Sequence, residues 1–122
     1  MNKQLLFFVD EGGFDDFTPL FVSLGFGVDF EDSQRRAVKL AKKKTYQIVV
    51  AEFNYNPEFR DRVSNIESLL ATLEGHSPEV KIIILYDEIN QPQLDQLKQR
   101  YRMDATLTFP VDEKTIKDCI SG

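Results

Sequence analysis

Residues 46–52 read YQIVVAE, a mainly apolar run that ends in an acid. Short runs rich in β-branched residues are typical of strands, and a run without polar alternation is typical of a strand covered on both faces. Two similar runs stand on either side of it, QLLFFV at 4–9 and VKIIIL at 80–85. The sequence therefore predicts three central strands.

Two weaker runs, at 27–30 and 105–109, alternate with polar residues and are predicted edge strands. Helical patterns separate all five runs, which is typical of βαβ units and a parallel sheet. The first predicted helix starts at Thr18 and is stopped by Gly25, and the second is capped by Ser33 with Ala37, Leu40 and Ala41 facing inward. The third has apolar residues at Phe59, Val63, Ile66, Leu70 and Leu73 and ends at Gly75. The fourth starts at Pro92, and the fifth starts at Asp112 with Ile116, Cys119 and Ile120 facing inward. Together they predict a flavodoxin-like, doubly wound five-stranded parallel sheet with order 2-1-3-4-5, helices on both faces and a functional crevice at the carboxyl ends of the strands.

Length and charge limit the functional classes. The 122 residues suit a single domain spanning 1–122. Twenty acidic against 15 basic side chains give a net charge of -5, which disfavours nucleic-acid binding. A single cysteine and the lack of a basic and apolar leader predict a cytoplasmic protein, and no apolar stretch is long enough to span a bilayer.

Four motifs at predicted strand ends carry a family resemblance. They are Val9-Asp10-Glu11, Leu24-Gly25-Phe26-Gly27-Val28, the run at 46–52, and Phe109-Pro110-Val111-Asp112. In this order and spacing they resemble the receiver domain of two-component response regulators over nearly the whole chain. The resemblance implies the flavodoxin-like fold and a role in signal transduction.

The resemblance also implies a set of site positions. In that family an aspartate accepts a phosphoryl group and two acids hold Mg²⁺. Asp10 and Glu11 are similar to the metal acids and form an acidic pocket with oxygen ligands suited to a hard cation. Glu52 falls at the phosphoacceptor when the third strand is aligned without gaps, whereas counting back four residues from Pro57 gives Phe53.

The groups that bind the phosphoryl oxygens are also replaced. Tyr86 stands where the family has Thr or Ser, and Phe109 stands where it has Lys. Without that lysine, a phosphoryl group would add roughly two negative charges beside Asp10 and Glu11 with little to offset them. The sequence therefore predicts a pseudo-receiver, an interaction module that acts independently of phosphorylation.

An alternative stays open at this point. The chain could be a working atypical regulator, or a small-ligand or Mg²⁺-binding domain, in which Asp10, Glu11 and Glu52 hold the metal. No cofactor is required by the leading hypothesis, and any Mg²⁺ is expected to bind weakly. An enzyme is not expected, because neither His76 nor Cys119 has a partner nearby in sequence for a nucleophile-base pair.

The partner is expected to be a protein or a second copy, docked on the fourth helix, fifth strand and fifth helix. Receiver domains commonly use this face, and the fourth helix has only a narrow apolar line to bury. The apolar area left over would mark an interface. The predicted contact residues are Leu94, Leu97, Lys98, Tyr101 and Arg102. The lysines at 39, 42, 43 and 44 are interpreted as a solvated helix end.

Overall fold

A computed structural model describes residues 3–10, 16–55 and 66–121. Strands and helices alternate through these ranges as the sequence predicts. They are β1 (Lys3–Phe8), α1 (Thr18–Ser23), β2 (Phe26–Glu31), α2 (Gln34–Lys43), β3 (Ile48–Phe53), α3 (Glu67–His76), β4 (Lys81–Tyr86), a 3₁₀ turn (Glu88–Asn90), α4 (Gln91–Lys98), β5 (Ala105–Thr108) and α5 (Glu113–Ser121). None of the helices in the described ranges is long and apolar enough to cross a membrane.

The five strands form one parallel sheet in the order β2-β1-β3-β4-β5. This confirms the predicted topology, with β2 and β5 at the edges. Every residue of β3 is buried, and so are the residues of β4 after Lys81. β3 begins at Ile48 instead of Tyr46 and runs on through Phe53, so both candidate phosphoacceptor positions lie inside the strand.

Alternation along the strands divides the interior into two cores, one on each face of the sheet. Phe7 points to the face covered by α1 and α5, where its ring meets Phe21 edge-on at 5.3 Å. Phe8 points to the face covered by α2, α3 and α4. The continuous apolar runs of the central strands are explained by this double coverage.

Local signals account for several helix ends. Ser33 caps α2 as predicted, because its hydroxyl accepts a hydrogen bond from the Arg36 amide at 3.4 Å. α1 begins at Thr18, whose amide donates to the Asp16 carboxylate at 3.0 Å, and Gly25 after its end has a φ of 95°. Asp112 accepts from the Thr115 amide at 2.7 Å at the start of α5.

α3 differs slightly from its prediction. Its described part runs from Glu67 to His76, so it passes Gly75 by one residue before it ends. Leu70 and Leu73 are buried as predicted, whereas Phe59 and Val63 lie outside the described residues.

α4 corrects a premise of the sequence analysis. Leu94 and Leu97 are both 0% exposed and belong to the core on the α2, α3 and α4 face. The expectation that these leucines leave apolar area uncovered is therefore wrong. A short helix with a narrow apolar line can bury that line completely when the line faces a sheet.

Candidate functional site

The predicted site residues gather at one edge of the sheet. Parallel strands bring their carboxyl ends to the same edge, and Asp10, Glu52, Tyr86 and Phe109 lie at the ends of β1, β3, β4 and β5. Glu11, the second predicted metal acid, lies outside the described residues.

Asp10 and Glu52 are joined by a hydrogen bond. β1 and β3 pair in register with Phe8 opposite Ala51, so the chain leaving β1 passes over the end of β3. The backbone amide of Asp10 donates to Oε1 of Glu52 at 2.8 Å. Glu52 is 3% exposed, whereas Asp10 is exposed to solvent. The Glu52 carboxylate therefore accepts a hydrogen bond from the backbone directly after β1.

Phe53 offers no phosphoacceptor in the alternative alignment. Its side chain is 0% exposed and packs in the core on the α2, α3 and α4 face. The two candidates thus point to opposite sides of β3, as successive residues of a strand must.

A metal centre needs more ligands than this pair supplies. Within the described ranges, no three His, Cys, Asp or Glu side chains are grouped so that they could hold a metal ion. One Glu52 oxygen is already used by the Asp10 amide. Asp10 and Glu52 alone therefore do not complete the Mg²⁺ site that the resemblance implies.

Tyr86 ends β4 with its hydroxyl turned toward α4. The hydroxyl donates to the side-chain oxygen of Gln91, whose Nε2 in turn donates to Asp95 at 2.8 Å. Burial raises the pKa of Tyr86, and the carboxylates of Asp95 and Glu88 raise it further. The hydroxyl is therefore a neutral donor engaged within the protein.

Phe109 follows β5 and is partly exposed. Its amide donates to the Tyr86 carbonyl at 2.8 Å, and its peptide bond to Pro110 is cis. The ring is 47% exposed. An aromatic ring thus occupies the place where the resemblance expects an ammonium group.

The predicted docking residues separate into two groups. Lys98 and Arg102 are exposed and Tyr101 is partly buried, whereas Leu94 and Leu97 are core. Arg102 also donates to the Val80 carbonyl at 2.5 Å and lies 3.6 Å from Asp104, so it supports the fold locally.

Sequence reasoning missed an exposed apolar residue beside this surface. Ile89, in the 3₁₀ turn before α4, is 79% exposed. Its only signal is an isolated isoleucine in a polar stretch, DEINQ at 87–91, which has no helical period. Ile89 and Phe109 follow the neighbouring strands β4 and β5, so they add exposed apolar area at the carboxyl edge of the sheet.

A second feature is a groove of about 680 Å³ between α2 and α3. It is lined by Asp10, Asp32, Ser33, Gln34, Arg35, Val38, Lys39, Lys42 and Ser68. Lys39 and Lys42, two of the four lysines interpreted as a solvated helix end, therefore form part of a concave surface.

No family model matches the sequence. No curated protein matches it either. Solved structures do match the fold. The signal receiver domain of an HD domain-containing protein from Pseudomonas fluorescens Pf-5 is similar with a TM-score of 0.77 and 13% identity, covering 99% of this chain and 93% of the other.

Two further structures are similar over almost the whole chain. The receiver domain of sensor histidine kinase PA1611 from Pseudomonas aeruginosa PAO1, solved with magnesium in its active site cleft, has a TM-score of 0.71, 16% identity and coverage of 99% and 96%. An adenylate cyclase structure from Rhodopirellula baltica has a TM-score of 0.72, 16% identity and coverage of 99% and 86%. At these identities the comparisons establish the fold alone, and this chain has the flavodoxin-like fold of CheY-like receiver domains.

Proposed function

We propose that this chain is a receiver-like protein-interaction module of signal transduction that works without phosphorylation. The receiver fold supports the signalling role. The observation that carries the rest is the hydrogen bond from the Asp10 amide to the buried Glu52 carboxylate. The acid at the phosphoacceptor position thus accepts a hydrogen bond from the backbone that follows β1.

Charge supports the same proposal. A phosphoryl group would bring about two negative charges to an edge that already holds Asp10 and Glu52. The Phe109 ring has no positive charge to offset them, and the Tyr86 hydroxyl already donates to Gln91. A phosphorylated state would therefore lack its stabilising partners.

We also propose that the chain has no catalytic activity of its own. His76 ends α3, which covers one face of the sheet, and Cys119 lies on α5, which covers the other. A nucleophile and its base must lie within hydrogen-bond reach of each other. The sheet separates these two side chains.

Phosphorylation is tested directly by mass. The purified chain is incubated with acetyl phosphate and Mg²⁺ beside an active receiver domain as a positive control, and its intact mass is measured. We expect no added phosphate. A mass shift of one phosphate that Glu52→Gln removes would contradict the proposal and favour a working atypical regulator.

The docking face is proposed to be α4, β5 and α5, with its apolar contribution from Ile89 and Phe109. Paired variants test it on a complex captured from cytoplasm or on the self-associated chain. Ile89→Asp with Lys98→Glu should weaken the complex. Lys43→Glu, on the exposed side of α2, is the control and should leave it intact. The opposite result would place the interface on α2.

A Mg²⁺-binding function is the second candidate, favoured by the meeting of Asp10 and Glu52 at one edge. A ligand that binds only the folded state raises its stability. Melting temperatures with and without Mg²⁺ should differ little. A clear rise that Asp10→Asn abolishes would support a real site.

A further inference from the structure

We propose that the groove between α2 and α3 binds an acidic segment of a partner protein through a row of three cations, Arg35, Lys39 and Lys42. This surface lies apart from the docking face proposed above, so either proposal can fail while the other stands.

Helical geometry places the three cations on one side of α2. They follow one another at four- and three-residue spacing, which aligns side chains along a helix. From first to last they span about 10 Å at a rise of 1.5 Å per residue. All three are exposed and line the groove. The opposite side of α2 carries the buried alanines Ala37 and Ala41.

Arg35, Lys39 and Lys42 have no acidic partner among the residues that the structure describes, unlike Arg36 and Lys44. Arg36 pairs with Glu31 at 2.9 Å and Asp32 at 2.6 Å, and Lys44 pairs with Asp29 at 2.8 Å. Within the described ranges, no ion pair involves Arg35, Lys39 or Lys42.

Two of the described residues that line the groove are acids, Asp32 and Asp10, and they could offset the charge of the cations. Asp32 is already neutralised by Arg36. Asp10 belongs to the carboxyl edge, where its amide meets Glu52. The described lining holds three cations against two acids, so it keeps an excess of positive charge for an acidic ligand.

The charge of the chain favours a polypeptide over a nucleic acid. A long polyanion would extend past the short row over a chain with an excess of acids, which would repel it. A short acidic segment needs only to cover the row, which is about 10 Å long.

The test uses a fluorescein-labelled Glu-Gly repeat peptide of about six residues, which carries three acids and spans about 20 Å when extended at about 3.3 Å per residue. Fluorescence anisotropy should show binding that weakens as salt rises, because exposed charges are screened over about 8 Å at physiological ionic strength. A Gln-Gly peptide of equal length should not bind.

Variants assign the binding to the row. R35E/K39E/K42E should weaken binding of the acidic peptide roughly tenfold or more, since three exposed contacts are lost and reversed. The control K98E/K114E/K117E makes the same change in net charge on α4 and α5 and should have a much smaller effect. R35Q/K39Q/K42Q provides a milder variant, and melting curves confirm that each variant folds.

Several outcomes would overturn the proposal. Absence of peptide binding, or equal weakening by both charge-reversed variants, would show that the row is not a specific site. Stronger binding to a poly-dT strand, or to phosphatidylserine vesicles, than to the peptide would assign the surface to a different ligand. The proposal of a docking face on α4, β5 and α5 does not depend on any of these results.

Discussion

α2 and α4 cover the same face of the sheet in different ways. α2 buries two alanines, Ala37 and Ala41, and presents cations along its outer side, whereas α4 buries Leu94 and Leu97 completely. Small buried residues let a helix lie close to the sheet, and large ones fill the space between them. The comparison shows that two helices can pack on the same face of a sheet through buried side chains of very different size.

The largest expected effect is on α4. Leu94→Ala should lower the free energy of unfolding by about 2–5 kcal/mol, because it removes buried methyl groups and leaves a cavity. Urea denaturation measures the loss, and Lys98→Ala on the same helix should change stability by less than about 0.5 kcal/mol. A Leu94 variant as stable as the original chain would mean that α4 is not held by its leucines.

A smaller effect is expected when α2 is made to resemble α4. Ala41→Leu should cost about 1–3 kcal/mol, since the added atoms must enter a closely packed contact with the sheet. Lys43→Leu places the same side chain on the exposed side of α2 and serves as the control. Equal stabilities for the two variants would contradict the close approach of α2.

The start of α2 depends on a cap. Ser33→Ala should lower stability by about 0.5–2 kcal/mol, because the Arg36 amide loses its acceptor. Ser33→Gly should cost only a few tenths of a kcal/mol, and Ser33→Asp should restore the acceptor. The same denaturation measurement ranks the three, and an alanine variant more stable than the aspartate variant would exclude the capping role.

The smallest expected effect is the pH dependence of stability that comes from Asp29, whose partner Lys44 follows the end of α2. Burial raises the pKa of Asp29, but hydrogen bonds from Lys44 and Tyr46 outweigh it, so the pKa lies below its ordinary value of 3.8. The ionised form is then favoured by folding. This contribution to stability is present above about pH 4 and is lost as the pH falls through the lowered pKa.

Asp29→Asn separates this contribution from general acid denaturation. The stability difference between the original chain and the variant should shrink as the pH is lowered from neutrality toward about 3, near the ordinary range of carboxyl groups. A difference that stays constant over this range would show that Asp29 is not linked to folding.

Much of the fold could be predicted from local patterns. The continuous apolar runs identified β1, β3 and β4 as central, the alternating runs identified β2 and β5 as edges, and Ser33 marked the start of α2. Sequence order also placed Asp10, Glu52, Tyr86 and Phe109 at strand ends. Each of these features depends on residues close together in the chain, so spacing and residue type suffice to reveal it.

Only the tertiary structure decided how those residues are used. The hydrogen bond between Glu52 and the Asp10 amide crosses 42 positions of sequence, and it exists because β1 and β3 lie side by side. The burial of Leu94 and the exposure of Lys39 in a groove likewise depend on which elements pack around them. A pattern in one segment shows which side of a helix is apolar. Which elements cover that side, and which charges find partners, is set by packing between segments far apart in the chain.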